Sequence, residues 1–220
     1  MSGSIIQAGF VDVDTRDLLA PDATLWEDFD AVSIPLVPTP LDRQPSAYVQ
    51  ESWKDKPRGE ISGVSVRAVH TKSAVAIQLV WDQGSPVRSI NDYNVFADAC
   101  AVLFPEDGKQ AEIGTMGSEE QPVVGWYWRA GTSDPFEIVA RGIGTVERSE
   151  EHDVHVSARW NDDRWHVVLA RGLDQSRPQL RGADIPIGFA VWCGSVTERA
   201  GLKSHSPEFH QLRLVSQGGE

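Results

Sequence analysis

From residue 64 onward, apolar and polar positions alternate over short runs, the period of two that a half-buried strand requires. Val64-Ser-Val-Arg-Ala-Val-His70 alternates, and Ala74-Val-Ala-Ile-Gln-Leu-Val-Trp81 answers it across Thr71-Lys-Ser73, a hairpin spacing. The same signal predicts strands over 97–104, 123–130, 136–146, 154–160, 165–171, 185–192 and 209–215. Asn161-Asp-Asp-Arg164 is a tight polar turn between two of them. No long stretch carries a convincing 3.6-residue period, so helices are expected only as short pieces, at 89–93 or 174–180. Strands at such intervals predict an all-β fold, an antiparallel β-sandwich of two sheets with a few short helices.

The beginning of the chain reads differently. Residues 2–25 show no clear period and carry Asp12, Asp14, Asp17 and Asp22. This predicts that residues 1–30 form an extended arm packed on a partner, and that 31–220 form the sandwich domain. In Ala31-Val-Ser-Ile-Pro-Leu-Val-Pro-Thr-Pro40, three prolines within six residues exclude a helix and a central strand, leaving an edge strand or a polyproline-like segment. Residues 48–60 are charged and loop-like. Gly142-Ile-Gly144 lies inside a strand pattern and reads as a bulge or a close backbone approach.

Composition narrows the function. A chain of 220 residues fits one domain of the larger all-β size and can bury a core without staples. No apolar run approaches the roughly 18–20 residues that span a bilayer. The start, Met1-Ser-Gly-Ser-Ile-Ile-Gln7, lacks the basic head, apolar middle and cleavage site of a secretory signal. Two expectations stay open: the chain remains in the cytoplasm, or it is exported folded alongside a partner that carries the signal. A net charge of −12 argues against nucleic acid, whose phosphates need a basic face.

Candidate chemistry is sparse. Cys100 and Cys193 each lie in an apolar strand-like run, where a free buried thiol is the default, with a disulfide between them left open. There is no C-x-x-C and no C-x-x-C-H. His152 and His155, three apart on an extended segment, face opposite sides, His205 and His210 flank Pro207, and His70 and His166 are isolated. None has a carboxylate at a metal-ligand spacing. G-x-S-x-G and phosphate-loop motifs are absent, so a hydrolase is poorly supported.

Two stretches stand out. Ile113-Gly-Thr-Met-Gly-Ser118 puts Met116 in a glycine-flanked loop, where methionine usually fills a core. The flanking glycines let the backbone bring the thioether close to something flat. The 185–192 strand runs into a Gly-interrupted polar loop that presents Lys203, for which, taken alone, a solvated surface lysine is the simpler reading. Between the two stretches, alternation puts Trp126 and Trp128 on one face and Tyr127 with Arg129 on the other, and ordinary core is the simpler reading of the tryptophans.

Taken together, Cys100-Ala-Val-Leu-Phe-Pro105, Gly114-Thr-Met-Gly117, Trp126-Tyr-Trp-Arg-Ala130, Ile187-Gly-Phe-Ala-Val-Trp192 and Glu198-Arg-Ala-Gly-Leu-Lys-Ser204 resemble the haem-binding γ subunits of ethylbenzene and dimethylsulfide dehydrogenases. Selenate and chlorate reductases and steroid C25 dehydrogenases carry γ subunits of the same family. The likeness runs from about Pro40 with order and spacing kept, and Pro38-Thr-Pro-Leu41 is also similar.

The resemblance implies a β-sandwich that performs no bond chemistry and carries one haem b, with iron held by Met116 and Lys203. It implies an iron–sulfur β subunit as electron donor, a molybdenum-containing α subunit that oxidises a hydrocarbon or steroid, and an external cytochrome or other acceptor. Phe104, Trp126, Trp128 and Trp192 are expected to wall the haem, with Arg129, Arg199 and Lys72 as candidate partners for its propionates. A thioether and a neutral amine leave the iron no open position, which suits electron transfer, and the soft thioether favours Fe(II). The rival reading is a carbohydrate-binding sandwich, for which eight tryptophans would also serve as platforms.

Overall fold

The computed structural model describes residues 3–90, 95–109, 111–132, 134–174, 178, 180 and 184–215. In chain order its elements begin with strand β1 (Ile5–Phe10), helix α1 (Thr15–Leu18), β2 (Val32–Pro35), β3 (Val37–Pro38) and α2 (Ala47–Trp53). Strands β4 (Gly63–His70), β5 (Ala74–Asp82), β6 (Ala99–Pro105), β7 (Val123–Arg129) and β8 (Phe136–Ala140) follow. The last are β9 (Glu147–Arg148), β10 (His155–Asn161), β11 (Arg164–Gly172), β12 (Ile185–Trp192), β13 (Ser204–His205) and β14 (His210–Leu214).

Hydrogen bonding runs in one path, β10-β11-β5-β4-β1-β14-β12-β6-β7-β8-β9, with β2 on β4 and β13 joining β12 to β3. The path turns over at β12, whose residues 185–187 pair with β14 while 188–192 pair with β6. One strand therefore serves two sheets. Their inner faces share a core in which Val66, Ile77 and Leu169 meet Val102, Trp126 and Phe189. The sandwich is as expected, and the edge-strand reading of the proline-rich segment agrees with β2 and β3.

The N-terminal arm is corrected. β1 lies inside the first sheet, pairing in parallel with both β4 and β14, so that sheet is not wholly antiparallel. Ile6 and Ala8 are buried, but Gly9 breaks the alternation because Phe29 fills its space: a Cβ there would lie 2.0 Å from the Phe29 ring. The following segment covers the outer face of the same sheet, with Leu18 and Trp26 buried against Val69, Ala76 and Val168. Residues 5–29 thus supply part of the sandwich.

Two further expectations change. Residues 47–53 are helical rather than loop, with the Ser46 hydroxyl accepting from the Val49 N–H at 3.4 Å and Trp53 as the buried anchor. One buried residue in seven leaves no visible stripe. The strand predicted over 136–146 ends at Ala140 and turns through Gly142 (φ 131°) and Gly144 (φ 89°) into β9. Thr145 closes that turn, its hydroxyl accepting from the Arg141 N–H at 2.7 Å and donating to the Gly142 carbonyl at 2.8 Å. The helices expected at 89–93 and 174–180 fall largely outside the described residues.

Candidate functional site

The outer face of the second sheet carries the site. Directly opposed residues of paired strands share a face. One row across β12, β6 and β7 is Trp192, Ala99 and Arg129. The next is His205, Ala190, Ala101, Tyr127 and Phe136, reaching from β13 to β8. A third runs Gly188, Leu103, Gly125, Ile138 and Arg148. Ala99, Ala101, Ala140 and Ala190 make a floor of small side chains, and they cluster with Met116, Ile113 and Trp192 apart from the main core.

Met116 reaches this face on a tight loop. The Met116 N–H donates to the Ile113 carbonyl at 3.1 Å, and the Gly117 N–H to the Glu112 carbonyl at 2.8 Å. Met116 (φ 61°) and Gly117 (φ 76°) both adopt left-handed backbone, uncommon for a residue with a side chain. At Gly117 a Cβ would lie 2.5 Å from the Gln121 carbonyl oxygen, so only glycine fits. The Met116 carbonyl accepts from the Gly142 N–H at 3.0 Å, so the turn between β8 and β9 braces the loop. Met116 is 4 % exposed.

Lys203 arrives from the other side on a loop pinned at several points. The Glu198 carboxylate accepts from the Cys193 N–H at 2.9 Å and the Gly59 N–H at 2.6 Å, while burial pushes its pKa up against those bonds. Trp192 Nε1 donates to the Ala200 carbonyl at 3.0 Å, Gln44 Nε2 to Gly201 at 3.0 Å, and the Thr39 N–H to Lys203 at 2.9 Å. Gly201 sits against Ile143, where a Cβ would meet the Ile143 side chain at 2.6 Å. The loops bearing the methionine and the lysine therefore lean on the same turn.

The Lys203 side chain is 1 % exposed. Its Nζ lies 3.5 Å from the Gly114 carbonyl oxygen, two residues before Met116, and among the described residues no carboxylate pairs with it. Burial lowers its pKa from 10.5 to about 7. A large fraction is thus free amine at neutral pH, with a lone pair to donate. Beside it His205 packs on Gly114, whose Cβ would lie 3.1 Å from the ring. His205 Nδ1 donates to the Ser206 carbonyl at 2.8 Å, which leaves Nε2 buried as an acceptor with no partner.

Met116, Lys203, Trp192 and Arg129 thus share one face. Phe104, Trp126 and Trp128 do not, and the expectation that they wall the same space is corrected: they point into the core between the sheets, with Phe104 and Trp126 ring centroids 4.9 Å apart. Arg199 is exposed on the lysine loop, its guanidinium 4.4 Å from the Phe96 ring centroid. Lys72 lies in the turn between β4 and β5 on the first sheet. Tyr127 and His205 were missed as site residues, although the alternation that pairs Tyr127 with Arg129 already set it apart from the tryptophans. Cys100 and Cys193 are both buried free thiols, and the described residues hold no cluster of three or more His, Cys, Asp or Glu for a metal ion.

One sheet face of the sandwich thus buries a thioether and a lysine amine that has no carboxylate partner among the described residues, donors of the kind a borderline or soft metal centre takes. The family described as ethylbenzene dehydrogenase matches residues 23–152 and 141–204, and the chain belongs to that family. It is 32 % identical over 194 residues to a Haloferax mediterranei protein named as a respiratory nitrate reductase heme subunit, covering 86 % of this chain and 66 % of that one. It is 33 % identical to the chlorate reductase γ subunit of Ideonella dechloratans (69 % of this chain, 64 % of the relative). Against the dimethylsulfide dehydrogenase γ subunit of Rhodovulum sulfidophilum identity is 25 %, covering 63 % and 55 %. The chain spans just under two thirds of the first two relatives and about half of the third.

Among solved structures, a family 9 carbohydrate-binding module of Caldicellulosiruptor kristjanssonii, in complex with glucose, superposes with a TM-score of 0.55 at 10 % identity, covering 99 % of this chain and 98 % of that one. That likeness is one of fold.

Proposed function

We propose that this chain is the electron-carrying subunit of a molybdenum-enzyme complex, holding one haem b through Met116 and Lys203. The observation that carries the reading is a lysine buried without a carboxylate, its amine against the loop that presents the methionine. The alanine floor under them suits a flat macrocycle, and Trp192 and Tyr127 stand beside it edge to face, with centroids 5.4 Å apart. When bound, haem would supply a one-electron couple. The protein's part is to keep the Lys203 amine unprotonated by burial, to hold the Met116 thioether on a strained loop, and to exclude water. Attachment is non-covalent, in keeping with a sequence that has no C-x-x-C-H.

The relatives' names support the reading: one is called a heme subunit and two are γ subunits of multi-subunit enzymes. By that analogy an iron–sulfur β subunit delivers electrons from a molybdenum-containing α subunit, and an external cytochrome or other acceptor takes them. The chain itself is then non-catalytic. Hydrocarbon or steroid oxidation is the finer form of the proposal, and the family's description, ethylbenzene dehydrogenase, supports its hydrocarbon half alone. Export to the periplasm with a signal-bearing partner is part of the same proposal, with a cytoplasmic site as its alternative. No helix among the described residues is long and apolar enough to cross a membrane.

The carbohydrate reading has less support. Seven of the eight tryptophans are buried, which removes them as stacking platforms. The test is to reconstitute the haem-free chain with iron protoporphyrin IX and compare Lys203→Ala and Met116→Ala with the parent. Loss of the six-coordinate low-spin spectrum in each variant is expected. An unchanged Soret band in Lys203→Ala ends the assignment.

A further inference from the structure

Two arginines stand on the outer face away from Lys203. Arg129 is directly opposite Ala99, and Arg148 directly opposite Ile138. Both of those partners belong to the cluster that contains Met116, so the register sets both arginines on the methionine's side of the sheet. Tyr127 lies between them. It stacks on Phe136 with centroids 6.0 Å apart and planes at 17°, and the Arg148 guanidinium lies 3.8 Å from the same Phe136 ring. Burial pushes the Tyr127 phenol up to about 12, with the charges of Arg129 and Arg148 acting against that rise.

Among the described residues, neither guanidinium has a carboxylate within ion-pair distance. Glu147, beside Arg148 in sequence, is taken by Arg141 at 3.4 Å. This is a chain with 32 acidic and 20 basic residues, in which arginine has carboxylates to choose from. Two arginines without one, at the margin of an apolar face, present forked donors shaped for carboxylates.

We propose that Arg129, Arg148 and the Tyr127 hydroxyl anchor the two carboxylate side chains of the porphyrin. Arg129 lies three strands from Lys203, about 14 Å at the spacing of paired strands. The polar margin of the porphyrin would then face β7–β9, the side of this sheet face away from Lys203. Of the other basic candidates, Arg199 sits on the lysine's own loop and donates to the Thr197 carbonyl at 3.3 Å, and Lys72 belongs to the first sheet. The inference rests on the haem reading and adds an orientation to it.

The experiment uses two probes, iron protoporphyrin IX and its dimethyl ester, titrated into the haem-free chain and followed at the Soret band. The parent should favour the free acid by about tenfold to a hundredfold, the worth of one or two charge-assisted hydrogen bonds. The Arg129→Gln/Arg148→Gln pair should lose that preference while binding the diester as the parent does. Tyr127→Phe should lose a smaller part, and Arg→Lys at both positions should restore some of it. Equal affinity of the parent for acid and ester overturns the proposal. So does an equal loss for both probes in the arginine variants, which would mark a structural role. A parent that binds both probes equally, with Met and Lys ligation intact, sinks the anchor alone. A parent that takes up neither porphyrin sinks the haem reading with it.

Discussion

Lys203 Nζ and the Gly114 carbonyl oxygen lie 3.5 Å apart, joining loops 89 residues distant in sequence. At that length the contact is at the limit of a hydrogen bond and does little to offset the desolvation of an ammonium. The result is a lysine whose charge the fold disfavours, next to the one internal methionine of the chain.

Stability of the haem-free chain should rise with pH because of Lys203. The folded pKa is about 7 and the unfolded one 10.5, so between these values the unfolded chain binds more protons. Between pH 7 and 9.5 this contributes about 3 kcal/mol, an order-of-magnitude figure. Urea unfolding of the parent and of Lys203→Met at both pH values measures it. The two should converge in slope only if the lysine is not the source.

With haem bound, acid should displace the lysine before the methionine, because a proton competes for the amine and not for the thioether. Iron binding favours the free amine, so the midpoint should fall below about 7. A Soret titration of the parent should show this step, and Lys203→Ala should lack it.

Gly117→Ala should damage the methionine loop and little else. It places a Cβ 2.5 Å from the Gln121 carbonyl at φ 76°, a strain of about 1–3 kcal/mol. Haem affinity should drop while near-ultraviolet circular dichroism of the buried tryptophans holds.

The two faces of the second sheet should respond separately. Ala101→Leu overfills the floor beneath the methionine, costs about 1–3 kcal/mol and should impair haem uptake. Trp126→Phe, on the inner face, should lower the urea midpoint and leave the Soret maximum where it was. A Soret shift in Trp126→Phe would contradict the placement.

Ile6→Ala tests the beginning of the chain. Ile6 is buried in the main core, on a strand with hydrogen-bonded neighbours on both sides, so the loss should be about 2–5 kcal/mol. A residue on a free arm would lose almost nothing in an unfolding experiment on the isolated chain.

Much of the sandwich was legible because a strand with one wet face writes its period into the sequence. β4 shows it plainly, with Val64, Val66 and Ala68 buried and the residues between them half exposed. β1 did not, since Gly9 holds a place where Phe29 supplies the bulk, and α2 was too short to show a stripe. The donor loops were visible for a local reason. A methionine between glycines and a lysine behind a glycine-rich turn are odd wherever they fold.

By itself, then, the sequence determined the strands, the turn chemistry and the pair of loops that carry a thioether and an amine. Only the tertiary structure decided which side of the second sheet those loops cover, and hence that Tyr127 and Arg129 share that face while Trp126 and Trp128 lie in the core. The reason is that β6 is buried at every position and β7 nearly so. A strand covered on both faces keeps its alternation of direction but loses its alternation of polarity, and the partner on each face is chosen by contacts far away in the chain.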